Sequence, residues 1–490
     1  GIDIGTYETK GVLVDNKGLV VSEAKRKHKM LVPKPGWAEH RPEEDWWNDF
    51  CFVSKTILRE SGIKPEDIKA VASSAIGPCM LPVDSFGNPL MNGVLYGVDN
   101  RAEKEVRELT ASIGESLILS KCGNALTSQS VGPKILWFKR NCPVLYEKTS
   151  KILTSTSFIV HKLTGKYVID HYTAANFSPL YDVSKQNWTD ELTNEIISLE
   201  KLPKLKWSNE IVGSVTQKAS EATGLLVGTP VTTGTIDAAA EALSVGVINS
   251  GDMMIMYGST IFLILKNAKR VVDPRLWYAP WLFKGEHASM AGLATSGTLT
   301  HWFKDQFAKE LNKDKAIEIL AAEAKSSPAG AKGLLMLPYF SGERTPIHDA
   351  NAKGVFFGLN LTHNRADMFR AMIEGIAYGT RHVTDTFSEL GQPPSALLAV
   401  GGGTKNSLWT QATSDITGIN QTVREKTIGA SYGNAFMAAL AIGQVQKEDI
   451  SIWNPVRKKI TAKQNLAYNY NYKIFIELYK NTKELMSKIQ

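Results

Sequence analysis

The chain has 490 residues, of which 43% are hydrophobic and 21% are charged, and it carries a formal net charge of +7. This length is too great for one typical core and predicts two domains, while the composition is that of an ordinary globular protein. Since no long basic run is interleaved with aromatic residues, we expect no nucleic acid partner.

The cysteines and the apolar runs indicate the cellular setting. All four cysteines lie in the first third of the chain without a Cys-x-x-Cys pair, which favours reduced thiols in a cytoplasmic protein over disulfides or a zinc site. The longest apolar run, residues 253–265, is shorter than a membrane helix of about 20 residues. It predicts two buried strands, and we expect no membrane partner. No signal peptide is visible, and we expect a few residues of the first strand to precede Gly1.

The opening sequence GIDIGTYETKGVLVDNKGLVV alternates short apolar runs with polar turns. It predicts an antiparallel meander and lacks the GxxxxGK[ST] pattern of a Walker loop. Gly5 lets the backbone of a hairpin corner approach an anion closely, while Thr6 adds a hydroxyl group and Lys10 a charge. Asp3 is placed to hold magnesium through water. An ordinary Gly-Thr hairpin is the competing interpretation.

The segment PGWAEHRPEEDWWNDF begins a helix at a proline followed by two glutamates. Its aromatic residues Trp46, Trp47 and Phe50 are most simply part of the core. His161 lies on an apolar helix face, where a core histidine is the simpler interpretation than a ligand. This part of the chain therefore predicts structure rather than chemistry.

Asp99 and Arg101 lie on a turn that leads into a helix. Neighbouring acidic and basic side chains in a loop can bind a polyol through charge-assisted hydrogen bonds. The alternative is a helix cap beside a surface arginine. Without further context the sequence does not decide between these two interpretations.

Asp237 follows a Gly-Thr turn in the sequence GTIDAAAEAL. In DMMIMYGSTIFLILK, the corner Gly258-Ser259-Thr260 then separates two apolar runs, which repeats the strand, glycine corner and strand of the opening. The repeat predicts two similar domains that each offer one hairpin to phosphates. A carboxylate near a phosphate-sized turn indicates phosphoryl transfer to an alcohol. Taken alone, a helix cap and a Gly-Ser turn explain the two halves equally well.

A triple glycine follows the short predicted strand at residues 397–400, in the sequence Gly401-Gly402-Gly403-Thr404-Lys405-Asn406. Glycines between a strand and a helix let a flat ring lie against the backbone at the helix N-terminus. The spacing does not satisfy GxGxxG, which argues against a Rossmann fold. A long amphipathic helix is predicted from about Arg365, and another at the end of the chain.

Together these segments resemble the FGGY family of carbohydrate kinases, in the actin/hexokinase-like superfamily, over nearly the whole chain. GIDIGT resembles the family's first phosphate motif, GTIDAAAEA its catalytic-aspartate motif, YGST its second phosphate motif and GGGTKN its adenosine motif. PGWAEHRPEEDWW, residues 134–141 and GVFFGLNLTHNRADMFRAMIEG also look like family signatures. The order and spacing of these motifs are more specific than any one of them.

The resemblance implies an α/β protein of two actin/hexokinase-like (ribonuclease H-like) domains, each with a mixed five-stranded sheet, and a nucleotide cleft between them. It implies ATP and Mg²⁺ as cofactors and is compatible with a homodimer. We expect the N-terminal domain to span residues 1–246 and the C-terminal domain residues 247–490.

The resemblance also implies individual roles. Asp237 matches the general base that takes a proton from the sugar hydroxyl, and Asp3 matches the magnesium-linked carboxylate. The residues expected to bind ATP or its phosphates are Gly5, Thr6, Lys10, Gly258, Ser259, Thr260, Gly402, Gly403 and Asn406. Those expected to bind the acceptor, besides Asp237, are Gly77, Pro78, Asp99 and Arg101.

We therefore expect ATP-dependent phosphorylation of a primary hydroxyl of a small carbohydrate, first of all a pentulose such as xylulose or ribulose. Xylulose kinases of the family usually carry Gln-Met-His-Gly where this chain has Ile76-Gly77-Pro78-Cys79. This replaces an aromatic, hydrogen-bonding wall with a small, stiff one and weakens the case for D-xylulose. A polyol or sugar acid such as glycerol, erythritol or gluconate is the alternative acceptor. A non-catalytic nucleotide switch on the same fold is the competing class of function.

Overall fold

The structure is a computed structural model that describes residues 1–489, which form two compact units. The first unit contains Gly1–Ile248, Lys269–Ala288 and Ile428–Pro455, and the second contains residues 249–268, 289–427 and 456 onward. Each unit is thus built from separate stretches of the chain. The first unit also takes in two segments that follow residue 248 in the chain. The domain limit expected at residue 246 stays a prediction.

Short strands alternate with helices along the whole chain. The strands are β1 (Ile2–Ile4), β2 (Glu8–Val14), β3 (Val20–Lys27), β4 (Glu39–His40), β5 (Ser73–Ala75), β6 (Leu81–Val83), β7 (Gly93–Val94), β8 (Lys151–Leu153), β9 (Val168–Asp170), β10 (Tyr181–Asp182), β11 (Asn187–Trp188), β12 (Lys204–Lys206), β13 (Ile211–Ser214), β14 (Pro230–Thr232), β15 (Thr235–Ile236), β16 (Asp252–Tyr257), β17 (Ile261–Asn267), β18 (Trp277–Pro280), β19 (His287–Leu293), β20 (Leu335–Leu337), β21 (Val355–Phe357), β22 (Ala396–Val400), β23 (Gln421–Arg424) and β24 (Val456–Ile460).

The α-helices are α1 (Asp49–Ser61), α2 (Glu103–Ile113), α3 (Glu115–Cys122), α4 (Val131–Asn141), α5 (Pro143–Lys148), α6 (Ser155–Thr164), α7 (His171–Ala174), α8 (Gln217–Thr223), α9 (Asp237–Ser244), α10 (Gly297–Phe307), α11 (Ala316–Ala324), α12 (Arg365–Glu389), α13 (Ser407–Thr417), α14 (Ala430–Ala441), α15 (Ile450–Trp453) and α16 (Leu466–Met486). A π-helix spans Pro42–Asn48. Short 3-10 helices span Pro65–Asp67, Ala175–Phe177, Leu199–Lys201, Ala331–Gly333, Gly402–Lys405 and Lys447–Asp449. No described helix combines the length and the apolar character that crossing a membrane would require.

The first unit is organised on a mixed five-stranded sheet in the order β15, β5, β1, β2, β3. β1, β2 and β3 pair antiparallel, which confirms the predicted meander, and β5 and β15 add parallel strands beside β1. The predicted core aromatics are buried: Trp46 and Phe50 are 0% exposed and Trp47 is 8% exposed. They pack with Ile2 and Ile4 of β1 in one apolar cluster.

The second unit repeats this pattern in a larger sheet, which contains β19, β17, β16, β22, β23 and β24 in that order and so exceeds the five strands that the resemblance implies. β16 and β17 form an antiparallel hairpin, β22 lies parallel beside β16, and β23 lies parallel beside β22. The apolar run at residues 253–265 is therefore two buried strands joined at the Gly-Ser-Thr corner, as predicted. The internal repeat inferred from the sequence is confirmed, since each unit has a hairpin flanked by a parallel strand on the same side.

A late segment of the chain completes the first unit. α14 packs against α9, where a side chain at Gly433 would place its Cβ 1.9 Å from the carbonyl oxygen of Ala240. Only glycine allows the two helices to approach so closely. α14 also places Asn434 against the first sheet, where its Nδ2 donates to the carbonyl oxygen of Ile2 at 2.9 Å.

Candidate active site

Three neighbouring parallel strands of the first unit end at one edge of the sheet. Ile4 of β1 lies opposite Ala75 of β5, and Ala75 lies opposite Ile236 of β15. The residues that follow these strands therefore lie side by side. They are the corner at Gly5, the loop at Gly77 and the carboxylate of Asp237. The carboxyl ends of parallel strands are a common place for ligand sites in α/β proteins.

Asp237 is the first residue of α9 and lies directly after the end of β15. Its Oδ1 accepts a hydrogen bond from the N–H of Ala238 at 2.7 Å. Burial raises the pKa of Asp237 well above its usual range, and the charge of Asp3 raises it further. A carboxyl group with a raised pKa at a strand end is suited to taking a proton from an alcohol.

Asp3 is held in place by a chain of hydrogen bonds within the first unit. The hydroxyl of Ser74 donates to Oδ1 of Asp3 at 2.6 Å, and Nδ2 of Asn434 lies 2.7 Å from the same hydroxyl. Lys10 faces Asp3 across the β1–β2 hairpin. Burial raises the pKa of Asp3 to about 6, while the bond from Ser74 and the charge of Lys10 oppose the rise.

A third carboxylate belongs to this cluster. Glu241 lies one helical turn after Asp237, and burial together with the charge of Asp3 raises its pKa to about 7. The three carboxylates of Asp3, Asp237 and Glu241 therefore act on one another in a poorly solvated place. This group would gain stability from a cation, because opposite charge favours the ionised form of a buried carboxylate.

The remaining predicted phosphate residues of the first unit form the turn between β1 and β2. The N–H of Gly5 donates to the carbonyl oxygen of Glu8 at 3.0 Å and closes this turn. The hydroxyl of Thr6 lies 3.4 Å from the hydroxyl of Tyr96, which links the turn to the loop before Asp99. The side chain of Lys10 is about half exposed, at 49%, and its ammonium group lies 3.5 Å from Glu8.

The predicted acceptor loop packs against the end of β15, directly before Asp237. A Cβ at Gly77 would lie 2.8 Å from Cγ1 of Ile236, so the loop approaches the residue before Asp237 closely. Pro78 is buried, as are Ile76 and Cys79, whereas Gly77 is partly exposed. Of these four residues, Gly77 is therefore the one that can present its surface to a ligand.

Asp99 and Arg101 are bonded mainly to each other. Both are buried, and the guanidinium of Arg101 donates through Nε and Nη2 to the carboxylate of Asp99, with Nη2 to Oδ2 at 2.7 Å. Nη2 also donates to Glu39 at 2.8 Å. Both Asp99 oxygens are thus occupied, while Nη1 of Arg101 is buried without a hydrogen-bond partner in the described chain. The structure replaces the surface arginine of the alternative interpretation with a buried one that has a donor to spare.

The second unit contains a cavity of about 800 Å³. Five of the six residues predicted there for ATP line it: Gly258, Ser259, Gly402, Gly403 and Asn406. Thr260 is outside this lining, and its carbonyl oxygen instead accepts from the N–H of Gly258 at 3.1 Å. The glycine loop (residues 401–406) and the second corner (residues 258–260) therefore both contribute to the lining of one cavity.

The wall of this cavity carries a buried donor. Asn406 caps α13, since its Oδ1 accepts from the N–H groups of Leu408 and Trp409 at 3.1 and 3.2 Å. Its Nδ2 is buried and has no hydrogen-bond partner within residues 1–489. A buried donor left unpaired is costly unless a ligand or water accepts from it. Asn406 is thus equipped to cap its helix and to bind a ligand at the same time.

Two family models match this chain. The model of the N-terminal domain of the FGGY family of carbohydrate kinases matches residues 1–244, and that of the C-terminal domain matches residues 253–442. The chain belongs to the FGGY family of carbohydrate kinases. The expected two-domain actin/hexokinase-like kinase fold is therefore confirmed, and this FGGY kinase is a sugar phosphotransferase.

Several relatives resemble this FGGY kinase over most of its length. The xylulose kinase of Bacillus subtilis (strain 168) is 28% identical, covering 100% of this chain and 98% of the relative. Glycerol kinase 1 of Streptomyces avermitilis is 29% identical over 90% and 88% of the two chains. The crystal structure of xylulose kinase from Rhodospirillum rubrum has a TM-score of 0.93 and 29% identity, with 99% of each chain covered.

Sequence reasoning missed three residues that the structure places at the candidate site of this FGGY kinase. Glu241 had a usable signal, because residues four apart on a helix share a face and it follows Asp237 at that spacing. Ser74 and Asn434 had none, since each is a small polar residue brought to Asp3 by a pairing distant in the sequence. His28 and His40, which lie beside the first corner at Gly5 and Thr6, were also missed.

Proposed function

We propose that this chain transfers the terminal phosphoryl group of ATP to a primary hydroxyl of a small carbohydrate, first of all a pentulose such as xylulose or ribulose. The position of Asp237 is the observation that carries the proposal. It begins α9 directly after β15, at the sheet edge where the corner at Gly5 also lies. A base for the acceptor and a corner for phosphate thus follow two parallel strands, β15 and β1, that are separated only by β5 in one sheet.

Asp237 acts as the general base. Its carboxylate would accept the proton of the attacking hydroxyl and orient that oxygen, a contribution of roughly 100- to 10,000-fold. Phosphoryl transfer needs mainly alignment and charge neutralisation, because the transition state is loose and its charge lies on the equatorial oxygens. In the first unit we assign the phosphate contacts to Gly5, Thr6 and Lys10.

In the second unit we assign the nucleotide to the cavity lined by the glycine loop. Gly402 and Gly403 let a flat ring approach the backbone, and Nδ2 of Asn406 offers an unpaired donor. Gly258 and Ser259 line the same cavity, and we assign phosphate contacts to them and to the adjoining Thr260.

The carboxylate cluster fits a magnesium ion that is held through water and not by three direct ligands. Asp3, Asp237 and Glu241 are oxygen donors whose buried charges repel one another, and Mg²⁺ prefers oxygen ligands. Within residues 1–489 no three acidic, histidine or cysteine side chains are grouped to bind a metal directly. Asp3 would therefore hold the ion through water, as Mg²⁺ commonly keeps several waters and binds phosphate oxygens. When bound, the ion would neutralise charge on the transferred phosphoryl group.

The acceptor itself is supported by the relatives and by the loop at Gly77. Xylulose kinases support a pentulose, whereas the similarity to a glycerol kinase supports a polyol as the second candidate. Gly77 has no side chain, so a hydroxyl-rich acceptor could lie close to the loop there if it carries no bulky group on that side. The unpaired Nη1 of Arg101 would suit a hydroxyl group of the same acceptor. We place the reaction in the cytoplasm, where ATP is available and four free cysteines stay reduced.

An ADP-release assay over a sugar panel tests the proposal. The panel contains D-xylulose, D- and L-ribulose, erythritol, gluconate and glycerol, with the Asp237→Asn variant measured in parallel. We expect one pentulose to raise ADP release well above the sugar-free rate and Asp237→Asn to retain ATP binding while losing at least about 100-fold in turnover. A rate indifferent to every sugar would support a nucleotide switch instead, and normal turnover by the variant would refute the role of Asp237.

A further inference from the structure

The carbonyl groups of the first corner are each bonded by a buried histidine side chain. Nε2 of His28 lies 2.9 Å from the carbonyl oxygen of Gly5, and Nε2 of His40 lies 3.0 Å from that of Thr6. A carbonyl oxygen can only accept, so both Nε2 atoms carry a proton and donate. The two rings meet edge to face, with centroids 5.0 Å apart.

The protonation state of His40 follows from its other nitrogen. Nε1 of Trp46 donates to Nδ1 of His40 at 3.0 Å, and an indole nitrogen is a donor only. Nδ1 therefore carries no proton, and His40 is neutral with its proton on Nε2. Burial and the neighbouring charge of His28 lower the pKa of His40 to about 4, in agreement with this tautomer.

His28 is in the opposite state. Its Nδ1 lies 2.9 Å from Oδ2 of Asp49, a buried carboxylate whose Oδ1 lies 3.0 Å from Nε of Arg26. Burial alone would lower the pKa of His28, but its bonds to Asp49 and Gly5 and the charges of Asp49 and Asp45 raise it. Both nitrogens of His28 therefore donate, and the corner is backed by one imidazolium and one neutral imidazole.

These hydrogen bonds to the carbonyl oxygens also affect the N–H groups of the same two peptides. The carbonyl of Gly5 and the N–H of Thr6 belong to one planar peptide, and so do the carbonyl of Thr6 and the N–H of Tyr7. A donor bound to the oxygen fixes the plane and polarises the peptide, which makes its N–H a stronger donor. Neither N–H is bonded to another protein group in the described part of the chain.

The carbonyl groups of the second corner, Gly258-Ser259-Thr260, also accept hydrogen bonds, although not from histidine. The carbonyl oxygen of Gly258 accepts from the N–H of Gly297 at 3.1 Å. That of Ser259 accepts from the N–H of Ser296 at 3.1 Å and from the hydroxyl of Thr298 at 3.0 Å. In both units, therefore, two carbonyl oxygens of the corner accept hydrogen bonds from other protein groups. The recurrence in both units supports a functional role for fixing the corner peptides.

We propose that His28 and His40 are positioning residues for phosphoryl transfer, which orient and polarise the N–H groups of Thr6 and Tyr7 toward the phosphates of ATP. The inference rests on the proposed function of the first corner. It gives a role to His40 in the segment PGWAEHRPEEDWW, whose aromatics serve the core. The two histidines do not touch the reacting atoms and act through the backbone of the corner.

Leucine and glutamine substitutions at each histidine test this role. Leucine removes the donor at similar volume, whereas glutamine can restore an N–H near the position of Nε2. We expect His40→Leu and His28→Leu to lower kcat/KM for ATP by about 10- to 100-fold with the sugar KM unchanged. The glutamine variants should recover most of the loss at His40 and less at His28, where the charge is also removed.

His161→Leu is the matched control, since this histidine of the first unit stacks on Tyr167 with ring centroids 4.2 Å apart. It should change Tm without changing the ATP kinetics. Should a leucine variant fail to fold, the glutamine variants and Asp49→Asn, which removes the partner charge of His28, carry the test through kcat/KM for ATP.

Asp237→Asn separates this inference from the proposed function. If Asp237→Asn abolishes turnover while both leucine variants keep wild-type ATP kinetics, only the role of the histidines is refuted. Parallel losses in ATP and sugar kinetics that track Tm and are not recovered by glutamine would also overturn it. Normal turnover by Asp237→Asn would refute the proposed base, whatever the histidine variants show.

Discussion

The hydroxyl of Thr235 donates a hydrogen bond of 2.9 Å to the buried carboxylate of Asp170. Oδ2 of Asp170 also accepts from the N–H of Thr173 at 3.3 Å and the hydroxyl of Ser208 at 3.1 Å. Burial raises the pKa of Asp170 to about 6, while these bonds oppose the rise. Since Thr235 lies two residues before Asp237, Asp170 anchors the strand that delivers the proposed base.

We predict that Asp170→Ala destabilises the protein by about 2–5 kcal/mol, because it leaves three buried donors without an acceptor. Thr235→Val removes one donor at nearly the same volume and should cost only about 1 kcal/mol. Urea unfolding of both variants measures the difference. Equal losses for the two would show that Asp170 does not hold this cluster together.

Glu241 is expected to destabilise the ligand-free protein at high pH. Its pKa rises from an ordinary 4.5 to about 7 on folding, by burial first and the charge of Asp3 second. The folded state therefore binds the proton more tightly than the unfolded state. Stability falls as pH rises through this window, and the cost is absent below about pH 4.5 and complete above about pH 7.

Glu241→Gln removes this ionisation. We predict that it stabilises the ligand-free protein by up to about 3 kcal/mol at pH 8 and by little at pH 5. Urea unfolding at the two pH values measures the effect, with the exposed Glu221→Gln as a control that should show no such pH dependence. A gain of the same size at both pH values would contradict a buried ionising carboxylate.

The parts of the site that could be predicted are those coded by neighbouring residues. Both hairpin corners, the glycine loop and the position of Asp237 follow from strand periodicity and glycine placement within a few residues. The tie between Asn434 and Ser74 joins positions far apart in the chain, and no local pattern signals it. The pairing of His28 with the carbonyl of Gly5 likewise depends on how β3 returns past the corner.

Burial excludes the surface arginine, which was one alternative at Asp99 and Arg101, while the polyol site stays a prediction. Asp99 beside Arg101 admitted either a surface arginine or a polyol site, because composition does not reveal which side chains lose solvent. The structure buries both and leaves one guanidinium nitrogen unpaired. His161 was predicted to be a core histidine, and it stacks on Tyr167.

Gly402 and Gly403 provide a matched pair for the nucleotide cavity. A Cβ at Gly402 meets no atom within 4 Å, whereas a Cβ at Gly403 would lie 2.7 Å from the ring of Trp409 and 2.8 Å from Cβ of Tyr257. We predict that Gly402→Ala leaves Tm unchanged and raises KM for ATP by about 10-fold, as one methyl group obstructs the close approach of the ring. Gly403→Ala should lower Tm through overpacking.

Thermal unfolding and initial rates at varied ATP distinguish the two alanine variants. The KM for the sugar serves as the internal control and should not change in Gly402→Ala. A Gly402→Ala protein with wild-type KM for ATP would remove the reason for placing the nucleotide against this loop.

Arg101 offers the sharpest test of the acceptor site. Its side chain is 0% exposed and its guanidinium carbon lies 4.0 Å from the ring of Trp37. Lysine keeps the charge but cannot donate to Asp99 and Glu39 as a fork or supply the spare donor of Nη1. We predict that Arg101→Lys raises the KM for the sugar at least 10-fold with the KM for ATP unchanged, and lowers stability by about 3 kcal/mol.

Asp99→Asn is the matched variant for this prediction, because it weakens the same ion pair without removing Nη1. It should cost a similar amount of stability, about 3 kcal/mol, with a much smaller change in the KM for the sugar. Measuring both KM values and urea unfolding for the two variants separates binding from packing. If the sugar KM rises equally in both, Arg101 acts by shaping the loop and not by contact with the acceptor.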